Sequence, residues 1–121
     1  MVISESDWKQ FKKLREVALD RFCRGVLNDA TTISQHEALS THDRYLKLYR
    51  MIHGRDKDMA EAFDHFSRSS APMCLGYMVK YDLLTDDELS VFSDVMLRGI
   101  DYVVRRPYVL RLDEEPERRN K

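Results

Sequence analysis

Between residues 38 and 66, mostly apolar side chains recur at intervals that alternate between four and three residues. This spacing lines one side of an α-helix, and it is typical of helices that pack at a shallow angle in bundles and coiled coils. Other apolar residues widen the stripe, which favours a bundle over a two-stranded coil. We therefore expect this ridge to dock on neighbouring helices. Its members are Ala38, His42, Tyr45, Tyr49, Ile52, Asp56, Met59, Phe63 and Phe66.

The same region is long for a compact domain. A continuous helix over residues 38–66 would rise about 42 Å, whereas a compact sphere of 121 residues is about 35 Å across. Glycine weakens a helix interior by about 1 kcal/mol, so the natural break is at Gly54. We expect two helices here, or one strongly kinked helix.

Capping signals place the remaining helices. Ser4 or Ser6 begins a first helix that runs to about Asn28, and residues 28–34, rich in Thr and Asp, predict a loop. Near residue 71, Ser70 is suited to cap a helix that carries Pro72 in its first turn. That helix, residues 71–81, is apolar on nearly all sides and is expected to be central.

A capping box follows at residues 85–88. Thr85 can accept a hydrogen bond from the backbone of Glu88, whose side chain can reach back to Thr85. The helix that it opens is expected to continue to Val104, and Pro107 then stops it. Residues 108–112 predict a short extended segment, laid across the body or a partner.

Together these signals predict an all-α fold: a compact helical bundle of four to five helices with an irregular or short extended C-terminal tail. Residues 1–112 form a single helical domain in this interpretation, and residues 113–121 form a charged, mobile terminus. The chain is 43% hydrophobic and 34% charged, which suits a globular domain better than a disordered one.

The charges nearly cancel, because 20 Lys and Arg face 21 Asp and Glu, for a net charge of −1. A protein that grips a phosphate backbone usually carries a basic excess, so nucleic acid is not the expected partner. A body near neutrality lacks the repulsion that discourages self-association, which favours a homodimer. A further protein partner is left open.

Cysteine use and the absence of targeting signals predict a cytoplasmic protein. Cys23 and Cys74 lie in apolar helical stretches and are expected to be reduced core thiols. The N-terminus lacks the pattern of a signal peptide, and no run reaches the roughly 18 apolar residues that span a bilayer. We therefore expect no membrane association.

Four polar residues are candidates for a functional site or for packing specificity. His42 and Asp56 interrupt the apolar ridge, where a buried carboxylate would need a partner. His53 and Asp56 are three residues apart, and Glu61 and His65 are four apart, so each pair has the spacing to place two metal ligands together on a helix. A zinc site needs three or four protein ligands, so we expect no metal and no cofactor.

Known catalytic patterns are missing from the sequence. It has no nucleophile elbow of the G-x-S-x-G type and no glycine-rich phosphate loop, so we assign no catalytic residue. The two helices between Pro72 and Val104 superficially resemble a helix-turn-helix. The second of them, which would be the recognition helix, is acidic where DNA phosphates would lie, and this argues against DNA binding.

The expected function is a cytoplasmic, self-associating interaction or regulatory module. The alternatives are a nucleic-acid-associated regulator and an enzyme or metal-binding bundle.

Overall fold

Five α-helices make up the part of the chain that the computed structural model describes, residues 3–112, and no strand occurs in that range. The all-α, compact fold predicted from the sequence is confirmed. The charged terminus expected at residues 113–121 lies outside the described residues. Within residues 3–112, no helix combines the length and apolar character needed to cross a membrane. The helices are α1 (Glu5–Ser34), α2 (Thr41–Phe63), α3 (Ala71–Lys80), α4 (Asp86–Leu89) and α5 (Asp94–Arg98).

Helices α1 and α2 form an antiparallel hairpin. The Arg15 guanidinium donates to the carbonyl of Phe63 at 2.7 Å, which fixes the start of α1 against the end of α2. At the opposite end, Arg44 donates to the carbonyl of Ser34 at 2.9 Å. These side chains bind the last carbonyls of each helix, which have no partner inside the helix itself.

Helix α1 continues six residues beyond its expected end, so the loop predicted at residues 28–34 is wrong. Ile33 in this last turn is fully buried, and the hydroxyl of Thr32 donates to the carbonyl of Asn28 at 3.0 Å. The carboxylate of Asp29 pairs with Arg55 of α2 at 2.6 Å. Contacts with α2 therefore outweigh the weak helix propensity of these residues.

Helix α2 is one helix of 23 residues, so the expectation of two helices is wrong. The hydroxyl of Ser40 caps it by accepting from the amide of Asp43 at 3.0 Å. A helix of this length rises about 34 Å, which fits within the domain without a break. Gly54 is exposed on this helix, and apart from its chain neighbours and the nearby backbone of the helix no atom lies within 4 Å of the position that its Cβ would take.

The ridge predicted over residues 38–66 is only partly covered inside the chain. Phe63 is buried and Met59 is partly buried, but Tyr45, Tyr49 and Ile52 are exposed. Helices of the same chain therefore cover only part of the ridge that was expected to dock on neighbouring helices. The side of α2 that the rest of the chain covers lies one residue, or about 100°, away from the ridge. The apolar pattern does not reveal this side, because it includes the charged residue Arg55. That side carries Leu48, Met51, Arg55 and Ala62.

Helix α3 is central, as its apolar sequence predicts. Its buried side chains join the core with Phe11, Ala18 and Phe22 of α1. Ser70 occupies the capping position but does not cap with its side chain, contrary to expectation. Its hydroxyl donates to the carbonyl of His65 at 2.7 Å instead. The buried residues of α3 are Ala71, Cys74, Leu75, Met78 and Val79.

The capping box is confirmed, with both reciprocal bonds between Thr85 and Glu88 present. The helix that it opens ends at Leu89, however, so the single helix expected up to Val104 is wrong. Ser93 begins a separate helix, α5, by accepting from an amide of its first turn. Buried Asp7 of α1 holds Ser93 by accepting from its amide at 2.9 Å and from its hydroxyl at 2.5 Å.

Residues 99–102 form turns after α5, and the chain that follows has no regular secondary structure and lies across the body. The amide of Arg106 donates to the carbonyl of Lys80 at the end of α3 at 2.6 Å. Tyr108 packs against Tyr81 with ring centroids 5.4 Å apart. Side chains alternate after this point: Leu110 and Leu112 are partly buried, whereas Val109 and Arg111 are exposed.

Candidate functional site

The four polar residues singled out in the sequence are all exposed and do not converge. His42, His53 and Asp56 lie on the outer side of α2, and His65 lies in the connection after it. The expected burial of His42 and Asp56 is therefore wrong. His42 and His53 are about 16 Å apart along the helix. Among residues 3–112, no three or more His, Cys, Asp or Glu side chains come together as a metal site would require.

Three of these residues share their side of α2 with exposed apolar side chains. The His53 ring stacks on the Tyr49 ring, with centroids 5.8 Å apart and planes 7° from parallel. Asp56 and His53 border a shallow pocket of about 320 Å³ that Tyr45, Tyr49 and Ile52 also line. Three of the four residues predicted from the sequence therefore share one exposed side of α2.

We use the term hairpin face for the exposed apolar residues at this end of the hairpin: Leu27 of α1 and Tyr45, Tyr49 and Ile52 of α2. These residues are 65%, 62%, 46% and 45% exposed, respectively. Single exposed apolar residues are ordinary, whereas a contiguous group is not. The hairpin face is contiguous because Leu27 and Ile52 line one groove and Ile52 shares a second with both tyrosines.

The groove between the two helices is almost entirely apolar. It encloses about 360 Å³ and opens to solvent beside Ile52. Cys23, a free thiol, is partly buried in its wall. Pockets that bind partners are typically concave and apolar with a few polar groups at the edge, and this groove fits that description. Its lining residues are Phe22, Cys23, Val26, Leu27, Ile52, Arg55, Asp56 and Met59.

Arg55 is a buried residue in the lining of this groove, and its contacts fix α2 against α1 and the C-terminal segment. Its guanidinium pairs with Asp29 at 2.6 Å and lies 3.8 Å from the centre of the Tyr108 ring. The Tyr108 hydroxyl in turn donates to the carboxylate of Asp58. A buried arginine needs such partners, because an unpaired charge away from water is costly. The burial of Arg55 is not predicted by the sequence, where its only signal is a basic residue on the inward side of an amphipathic helix.

The tyrosines beneath the groove form an anchor and not a reactive group. Burial, followed by the nearby carboxylate of Asp58, raises the pKa of both Tyr81 and Tyr108 well above the ordinary value for a phenol. Loss of the proton from either hydroxyl is therefore disfavoured, which suits hydrogen-bond donation better than general-base catalysis. Phe22 completes the cluster through an edge-on contact with Tyr81, with ring centroids 6.3 Å apart.

The buried thiol of Cys74 is also poorly suited to nucleophilic chemistry. Burial raises the pKa of Cys74, so the thiolate needed for nucleophilic attack or metal binding is suppressed. Its sulfur lies 3.4 Å from the carbonyl of His65, to which it donates.

Several basic residues that could meet phosphate are engaged within the chain. Arg105 binds the carboxylates of Asp82 at 2.8 Å and Asp86 at 2.9 Å. Arg21 forms a two-pronged contact with Glu88, at 2.6 and 2.9 Å. Guanidiniums held this way are already neutralised, which leaves them little gain from a phosphate backbone.

No protein-family model matches the sequence, and neither a curated protein nor a solved structure matches the chain.

Proposed function

We propose that this chain is a protein-interaction module that self-associates as a homodimer through the hairpin face. The observation that carries the proposal is the contiguous exposure of Leu27, Tyr45, Tyr49 and Ile52. Burying these side chains against a second copy removes apolar surface from water, which is the main favourable contribution to association.

The size of the hairpin face supports this proposal. Large apolar and aromatic side chains bury about 150–250 Å² each, so the four residues expose roughly 400 Å². A patch of that size on a monomer is often functional. A stable interface buries about 800 Å² on each partner, and the walls of the two flanking pockets supply further area.

A second copy is the occupant that suits a two-helix hairpin best. Two antiparallel helices cover only one side of each other, and a second hairpin laid across them completes a four-helix bundle. Closed two-fold pairing is the commonest way for a soluble chain to bury such a face. The net charge of −1 opposes such pairing only weakly.

Light scattering coupled to size-exclusion chromatography tests the proposal. We expect the wild-type mass to rise towards twice the chain mass of 14.4 kDa as concentration increases. The variant Ile52→Asp should remain monomeric, because it places a carboxylate in the centre of the buried contact. Val91→Asp is the matched control, since Val91 is 47% exposed and neighbours Ser93, which binds Asp7 at the end of α1 opposite Leu27.

Either of two results would refute self-association. One is a wild-type mass equal to a single chain at every concentration. The other is a dimer that Ile52→Asp and Val91→Asp weaken equally.

We also propose a cytoplasmic location for the module, as expected from the sequence. Both Cys23 and Cys74 are free, which suits a reducing compartment. Fractionation of cells that express a tagged chain tests this, and recovery outside the cytoplasmic fraction would refute it.

A further inference from the structure

The outer side of α2 carries two residues of complementary chemistry at equal distances on either side of Tyr49. His42 precedes Tyr49 by seven residues and Asp56 follows it by seven. Between them lie Tyr45 and Ile52, which are both apolar and exposed. Seven residues are two helical turns, so all five residues lie on one side of the helix.

This equal spacing constrains how two copies fit together. In a two-fold contact, residue i of one copy meets residue j of the other, and j meets i. If two α2 helices cross antiparallel at Tyr49, His42 of one copy faces Asp56 of the other, and this pair forms twice. A parallel contact would instead place the two Asp56 carboxylates together, and like charges at an interface are costly.

The apolar residues support the same register. Antiparallel crossing at Tyr49 brings Tyr45 of one copy opposite Ile52 of the other. Ile52 forms the lip of the groove of about 360 Å³ between α1 and α2. Tyr45 is 62% exposed and is therefore free to enter that groove on the second copy. The walls that it would meet, Val26 and Met59, are apolar.

We infer that the dimer is antiparallel, with α2 crossing α2 of the second copy at Tyr49, Tyr45 seated in the opposite groove and His42 paired with Asp56 at both ends. This inference rests on the proposed self-association and adds its geometry. An imidazole N–H donates to a carboxylate whether the ring is neutral or charged, so the pair contributes specificity in either state.

A charge-exchange series tests the register. We expect His42→Asp alone to weaken dimerisation about tenfold, because two carboxylates then face each other at each end of the contact. Asp56→Lys alone should also weaken it, since the lysine faces an imidazole and the carboxylate is lost. The double variant should restore wild-type affinity, because the carboxylate introduced at position 42 then faces the ammonium introduced at position 56. Sedimentation velocity gives the dissociation constants.

The control is Lys13→Asp, an exposed charge reversal on α1 at the other end of the hairpin, which should leave the dissociation constant unchanged. Circular dichroism should give equal helix content for all variants, because both exchanged positions are exposed.

The possible results separate the register from self-association itself. In a parallel dimer the double variant would place like charges together at both ends, so failure to restore affinity overturns the antiparallel register. Single variants that bind like the wild type overturn it as well. In both cases a dimer that Ile52→Asp disrupts would leave the proposed function standing. A wild-type chain that is always monomeric refutes both.

Discussion

The two ends of the α1–α2 hairpin are built from the same helices but are covered differently. Residues 5–22 of α1 contribute four buried side chains, whereas residues 23–34 contribute only Ile33. In α2, residues 55–63 contribute three buried side chains, and residues 41–54 contribute none. We refer to residues 5–22 and 55–63 as the core end and to residues 23–34 and 41–54 as the free end. The spacing of apolar residues marks the side of a helix that needs cover, but it does not say which element supplies that cover.

The length of the covering elements explains the difference. Helix α1 has 30 residues and rises about 45 Å, whereas α3 has 10 residues and rises about 15 Å. Helices α4 and α5 are shorter still, with four and five residues. These elements pack against the core end and cannot reach along the whole hairpin, so the hairpin face at the free end is left exposed.

The largest expected effect is a truncation in the core end. Phe11 is 1% exposed, so Phe11→Ala should lower the free energy of unfolding by about 3–5 kcal/mol. Leu27→Ala at the free end should change it by less than about 0.5 kcal/mol in dilute, monomeric protein. Urea unfolding followed by circular dichroism measures both values. Equal losses for the two variants would mean that the two ends do not differ as described.

An intermediate effect is expected at the junction between the two ends. Replacing Arg55 with Met leaves Asp29 without its cation, and it should destabilise the fold by about 2 kcal/mol because Asp29 is largely but not fully buried. The double variant Arg55→Met with Asp29→Asn should recover part of this loss, since no unpaired charge is left. Thermal or urea unfolding of the two variants checks this. A double variant less stable than Arg55→Met would contradict the pairing.

The smallest effect is expected at Glu88, which links α1 to α4 in the core end. Hydrogen bonds from Arg21, and then from the amide of Thr85, lower the pKa of Glu88 from 4.5 to about 2. A lowered pKa stabilises the fold above pH 4.5, and this stabilisation is lost as the pH falls towards 2. Because the pair is partly exposed, Glu88→Gln should cost less than about 1 kcal/mol at pH 7.

The difference between wild type and Glu88→Gln should therefore disappear as the pH falls to about 2, in urea unfolding repeated across this range. Glutamine still completes the capping box, so the variant isolates the charge. Asp87→Asn, in the same helical turn, controls for the helix dipole. A difference that stays constant with pH would show that the ion pair contributes nothing.

The features that could be predicted from the sequence are those whose contacts are local. The capping box joins Thr85 and Glu88, three residues apart, so its chemistry is readable directly. The pairing of Asp29 with Arg55 and the bonds from Ser93 to Asp7 span 26 and 86 residues. Such contacts depend on the finished fold. They explain why α1 extends past Asn28 and why a new helix begins after Ser93.

The candidate site was predictable in the same limited sense. Periodicity identified the side of α2 that carries Tyr45, Tyr49 and Ile52, together with the polar residues His42 and Asp56. Periodicity could not show that the covered side of α2 lies one residue away from the side that carries these residues. The covered side includes Arg55, whose burial depends on its partner Asp29 in α1. Burial of a charged residue is decided by tertiary pairing and not by hydropathy.

Amide hydrogen exchange measured over about a hundredfold range of protein concentration tests the central claim most directly. If a second copy covers the free end, exchange in residues 41–52 should slow as concentration rises, while exchange in the central helix α3 stays unchanged. Exchange at residues 41–52 that is independent of concentration would contradict the account.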